Sequence, residues 1–188
     1  MQDRDLRLEF KDRVGKGRIE WVENELGEKF RKVYLLRERK EPNQEGSGYR
    51  YKTMCMRQYL RDIENSQHRK VFTKILAGDH PLAVERLRWV DNHRVQVPYE
   101  ERMCRFCREK VETPEHALLQ CSHPPALELR RRYLQEYQLL TGKHLDDDSD
   151  LTGFLVGMFN CRPAYQKTAK FMYDTIKIFD AVALYVPQ

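Results

Sequence analysis

Four side chains limit what this chain can fold into more than any other feature. Cys104-Arg-Phe-Cys107 is followed after eight residues by His116, and after four more by Cys121. A C-x2-C turn folds its backbone into a knuckle that brings two thiolates within reach of one ion. The H-x4-C pair closes the site from the two ends of a short helical segment, residues 115–120. Zinc suits this set best, because soft thiolates and one imidazole fill a tetrahedron and leave no open coordination position. The expectation is a closed, structural Zn2+ site of Cys104, Cys107, His116 and Cys121. One alternative stays open within it: His123 lies two residues past Cys121 and could take its place as a ligand. Pro124, which pulls the chain away directly after His123, favours Cys121.

The rest of the sequence agrees with metal ligation over a disulfide framework. The cysteines number five, an odd count, and three of them fall within 18 residues. The opening Met1-Gln-Asp-Arg-Asp-Leu-Arg7 has no apolar core of a secretory signal. No run approaches the roughly 18 apolar residues of a spanning helix. A soluble, intracellular protein without a membrane segment is expected, its compartment (nucleus or cytoplasm) undistinguished.

Apolar periodicity is helical throughout. Ile19, Val22, Leu26, Phe30 and Val33 share a face and predict a helix over 18–40. Residues 41–50, with Pro42, Gly46 and Gly48, read as a linker. Residues 51–188 then form the main domain, with the knuckle at 101–123. Cys55, Met56, Tyr59, Leu60 and Ile63 make one apolar face, and Val71, Phe72, Ile75 and Leu76 the next, with a break at Asn65-Ser66 and Ser66 as cap. Pro81 suits the first turn of a helix carrying Leu82, Val84, Leu87 and Trp89. Pro124-Pro125 starts a helix with Ala126, Leu129, Tyr133, Tyr137 and Leu140 on its apolar side, stopped by Thr141-Gly142. A short helix follows over 151–159. Residues 165–183 form a last helix that is apolar over a wide arc, fit for the core centre or for a protein partner or homo-oligomer seam. The fold class is all-α: an irregular helical bundle with a small CCHC zinc knuckle inserted.

Cations and an aromatic interleave around the knuckle: Arg102, Arg105, Phe106, Arg108 and Lys110. Arg130, Arg131 and Arg132 stand on the following helix. Arginine on phosphate with bases stacked on an exposed ring is how small knuckles hold single strands, so these eight residues are candidates for RNA or DNA contact. The opposing account places the arginines on solvated faces, paired with Glu101, Glu109, Glu112 and Glu128. Residues 101–150 carry eight basic against ten acidic side chains, which gives nucleic acid no long-range pull.

The run from Ile75 to Trp89, the stretch Val97-Pro-Tyr-Glu-Glu-Arg-Met-Cys-Arg-Phe-Cys107 and the stretch Val111-Glu-Thr-Pro-Glu-His-Ala-Leu-Leu-Gln-Cys121 resemble the zinc-binding C-terminal tail of non-LTR retrotransposon reverse transcriptases, most of all the fungal type. The resemblance covers residues 65–188, with Arg102, Cys104, Cys107, Glu112, Glu115, His116 and Cys121 on the family's pattern and Ile178–Pro187 like its final helix and exit. It implies an accessory module for RNA or DNA, detached from the polymerase.

No enzymatic activity is expected. Paired aspartates on a hairpin, as a polymerase needs for two metal ions, are absent from the pattern. The acidic run 146–150 reads as a solvated loop whose Ser149 or Asp150 caps the next helix. His68, His80, His93 and His144 form no triad-like spacing, Cys55 reads as a core thiol on an apolar helix face, and Cys161 has no base adjacent in sequence. A structural or protein-interaction module, in which zinc only stabilises the fold, is the alternative to nucleic-acid binding.

Overall fold

A computed structural model describes residues 35, 41–42, 49–50, 57–90, 96–146 and 150–187. The expected helix over 18–40 (apart from Leu35), Cys55, His93 and residues 147–149 of the acidic run lie outside the described residues. The chain divides into two compact units, Met1–Arg57 and Gln58–Gln188. In the first, β1 (Glu41–Pro42) pairs antiparallel with β2 (Tyr49–Arg50), so the two ends of the breaker-rich stretch lie side by side.

The described part of the second unit is an irregular all-α bundle, as the periodicity predicts. Helix α1 (Gln58–Asp62) and helix α2 (Ser66–Leu76) are split at the expected break, but the cap is Asn65 and not Ser66. The Asn65 side-chain oxygen accepts from the Gln67 and His68 amides at 2.9 and 3.1 Å, satisfying two of the donors that a helix start leaves open. Helix α3 (Ala83–Arg86) is a single turn, shorter than the pattern suggests. Leu82 and Leu87 are buried there, but Trp89, expected on the apolar face, is 56% exposed.

Helix α4 (Pro124–Thr141) begins on Pro124, whose missing N–H costs nothing at a first helical position. It stops at Gly142, which adopts the left-handed φ of 70° that ends a helix without strain only in glycine. Asp150 caps helix α5 (Leu151–Asn160) by accepting from the Thr152 amide at 3.1 Å. Helix α6 (Tyr165–Asp180) is central. Against α2 it contributes Tyr165, whose ring meets Phe72 edge-on at 5.9 Å. Against α4 it lays Phe171 flat on Tyr133, centroids 4.3 Å apart, while the Tyr133 and Thr168 hydroxyls share a hydrogen bond of 2.9 Å. The wide apolar arc is therefore filled by this chain's own helices along α6, and its far end, at Val182 and Ala183, is exposed.

Candidate metal centre

The knuckle is a tight hairpin. Met103 and Val111 form an antiparallel bridge, the Cys104 amide donates to the Lys110 carbonyl (2.8 Å), and the Arg108 amide donates back to the Cys104 carbonyl (3.0 Å). Arg108 takes a left-handed φ of 58°, the sole positive φ outside glycine among the described residues. This turn places the Cys104 and Cys107 sulfurs together. His116 and Cys121 come from a π turn, His116–Gln120, closed by the Cys121 amide on the His116 carbonyl at 2.7 Å. The wider turn matters, since residues five apart in an α-helix would point about 140° away from each other.

The four donors converge. One ligand atom from each of Cys104, Cys107, His116 and Cys121 lies within 4.8 Å of the others, and the four form a compact possible metal site. The Cys104 and Cys121 sulfurs are 3.7 Å apart, and Cys107 Sγ is 3.2 Å from His116 Nε2. Two sulfurs at the usual Zn–S length of about 2.3 Å on a tetrahedral ion would stand about 3.8 Å apart, whereas a disulfide would close to about 2.05 Å. All three cysteines are free thiols, so the donor set is compatible with zinc. His123 is not among the donors: its imidazole lies flat on the Phe106 ring, centroids 3.8 Å apart and planes within 5°. The converging group thus includes Cys121 and leaves His123 out.

Backbone donors and burial pull the three thiols in opposite directions. Backbone amides of Phe106 and Cys107 face the Cys104 sulfur, those of Glu109 and Lys110 face Cys107, and that of His123 faces Cys121. Without a cation the three thiols must still divide their protons. Cys104 hydrogen-bonds to Cys121 and is buried, and its pKa is pushed up to about 12. The same bond pulls Cys121 down, while burial pushes Cys107 up. Three crowded sulfurs, of which only Cys121 is drawn toward the thiolate, are an arrangement whose remaining protons a divalent cation would displace. His116 Nδ1 is buried without a hydrogen-bond partner, leaving Nε2 as the nitrogen aimed at the sulfurs.

The expected nucleic-acid face divides here. Arg102, Arg105 and Arg130 are buried and hold the protein's own oxygens, which removes them from any surface. Arg102 donates from Nε to Val97 O (3.0 Å) and from Nη1 to Val84 O (2.9 Å). Arg130 donates to the Cys121 carbonyl at 3.0 Å; burial lowers its pKa, and the nearby Cys121 works against that shift. Arg105 reaches furthest. It pairs with the fully buried Glu112 at 2.8 Å and donates to the carbonyls of Pro81 (2.8 Å), Phe179 (2.5 Å) and Val182 (2.7 Å). Phe106, expected as an open stacking ring, is half-buried, with one face covered by His123 and Phe179 edge-on at 5.0 Å. Arg108, Lys110, Arg131 and Arg132 are exposed. Of these, Arg132 pairs with Glu128 at 3.3 Å, and Arg108 lies over the Tyr185 ring at 4.7 Å.

Glu112 is the residue whose weight the sequence hides. It accepts from the Ala83 amide at the start of α3 (2.8 Å), from the Arg105 amide (2.8 Å) and from the Arg105 guanidinium. One carboxylate thus joins the knuckle to α3. No family model matches this chain, and neither a curated protein nor a solved structure matches it. No helix among the described residues is long and apolar enough to cross a membrane.

Proposed function

We propose that this chain is a non-catalytic zinc module in which the ion holds the knuckle in shape. The observation that carries the reading is the convergence of Cys104, Cys107, His116 and Cys121 within 4.8 Å, with backbone amides turned toward their sulfurs. When bound, zinc supplies a fixed tetrahedral corner and neutralises two of the three thiolate charges. Arg130, donating to the Cys121 carbonyl, stands where it balances the third. All four ligands come from the protein, so no position is left for substrate or an activated water. Purified protein is expected to carry one zinc per chain by elemental analysis; a chain that neither retains nor takes up the metal refutes this reading.

The resemblance to the retrotransposon tail directs such a module toward RNA or DNA as an accessory. What supports that role is the exposed set Arg108, Lys110, Arg131 and Arg132, smaller than the sequence suggests. Contact with a handful of phosphates gives a shallow dependence, log K falling with log salt at a slope of about −0.7 per contact on a single strand. A filter-binding titration with single-stranded RNA reads this slope. Absence of binding at low salt removes the nucleic-acid role and leaves the zinc centre standing. A second reading, a protein-interaction module, draws on the exposed Trp89, Val90 and Tyr99, since tryptophan and tyrosine anchor many interfaces.

A further inference from the structure

The residues after α6 turn back onto the knuckle. Arg105, between the two cysteines of the C-x2-C turn, donates to the Phe179 and Val182 carbonyls at 2.5 and 2.7 Å. Phe106 beside it meets the Phe179 ring edge-on. Arg108, directly after Cys107, holds its guanidinium 4.7 Å from the centre of the Tyr185 ring. Between these grips Leu184 packs on a small apolar cluster of Ala83, Leu87 and Val97. Three residues of the knuckle loop therefore hold the segment at the C-terminal end of α6 and beyond it.

The loop's own conformation depends on its cysteines. Arg108 has a backbone φ of 58°, a setting costly for an arginine that persists only where its surroundings enforce it. Its amide is tied to the Cys104 carbonyl, and the next two amides face the Cys107 sulfur. The aromatic packing of α2, α4 and α6 rests on Phe72, Tyr133, Tyr165 and Phe171, rings other than the Phe179 that meets the loop.

We infer that the metal site is a latch on residues 181–187: filling it holds Arg105 and Arg108 against this segment, and emptying it lets the segment detach from Ala83, Leu87 and Val97 while the α2–α4–α6 core stays folded. The inference rests on the zinc reading above. Its consequence is a metal-dependent unmasking of an apolar patch beside α3.

The test compares the zinc-loaded and chelator-stripped full chain, with zinc content measured in parallel, under limited chymotrypsin digestion read by mass spectrometry. Stripping is expected to speed cleavage after Tyr185 roughly tenfold, because proteolysis follows the population of the open form, and to leave cleavage after Phe171, inside α6, unchanged. In a second arm, Leu184→Asp is expected to open the Tyr185 site to a similar degree while keeping its zinc. A chain that binds zinc but is cut equally fast after Tyr185 with and without it overturns the latch and spares the zinc reading. The latch is overturned equally if Tyr185 and Phe171 become sensitive together, or if Leu184→Asp changes nothing. A chain that binds no zinc overturns both.

Discussion

Cys104→Ser is expected to abolish stoichiometric zinc binding and to unfold the knuckle. Cys104 is fully buried, with the Cys121 sulfur 3.7 Å away, and serine is a poor ligand for a soft-donor zinc site. Ligation in small structural sites supplies on the order of 10 kcal/mol to folding. That exceeds what this hairpin could recover from one bridge and a few turn hydrogen bonds. Zinc content and the dispersion of amide signals from residues 101–123 should fall together in the variant, as they should in wild type treated with chelator. His123→Ala serves as the contrast: it loses a ring stack on Phe106 and keeps its zinc. If Cys104→Ser retains one zinc per chain, or His123→Ala loses it, the ligand set is wrong. Acid acts in the same direction as the mutation. In the metal-free site Cys104 is pushed up to about 12 and Cys107 is raised as well, so an entering ion must displace thiol protons. Apparent affinity therefore climbs as pH rises and falls as protons compete for the sulfurs.

The parts of this architecture that can be read from the sequence are those determined by neighbours along the chain. The C-x2-C and H-x4-C spacings bring their donor side chains together through turns of a few residues, and α6 shows its buried face at steps of three and four, whereas on α4 Leu140, read on the apolar side, is exposed and Arg130 is buried. The caps divide on the same line. Asp150 is legible, but Asn65 is hidden behind Ser66 because both residue types cap well and only the backbone torsions show which one remains outside the helix.

The arginines mislead for the opposite reason. Nothing near Arg105 in sequence reveals that its guanidinium ends on carbonyls 24, 74 and 77 residues away. A cation in a polar stretch looks the same whether it faces phosphate or a buried carboxylate. The available signal is position: a residue between two metal ligands in a knuckle faces either the ion's surroundings or the body of the protein. Trp89 misleads similarly. The helical pattern carries it to the core side of a helix that ends at Arg86, three residues earlier.

Glu112→Ala is expected to be the most damaging substitution away from the four converging Cys and His side chains. The carboxylate is fully buried and holds the Ala83 amide, the Arg105 amide and the Arg105 guanidinium at once. Removing it leaves Arg105 charged, desolvated and short of its counter-ion, and breaking one partner of a buried pair costs about 3–5 kcal/mol. An exposed pair such as Arg132–Glu128 would by contrast be worth about 0–1 kcal/mol. Arg105→Lys tests the other side of the contact. A single ammonium cannot reach Pro81, Phe179, Val182 and Glu112 together, so the fork geometry is lost although the charge remains. Replacing both partners by apolar residues should not restore the wild-type value here, unlike many buried pairs, because the three backbone carbonyls would stay without donors. Denaturant unfolding of the zinc-loaded variants reads these differences directly. A loss below about 1 kcal/mol for Glu112→Ala would place the pair among ordinary surface ion pairs and contradict its role in joining knuckle, α3 and the end of α6.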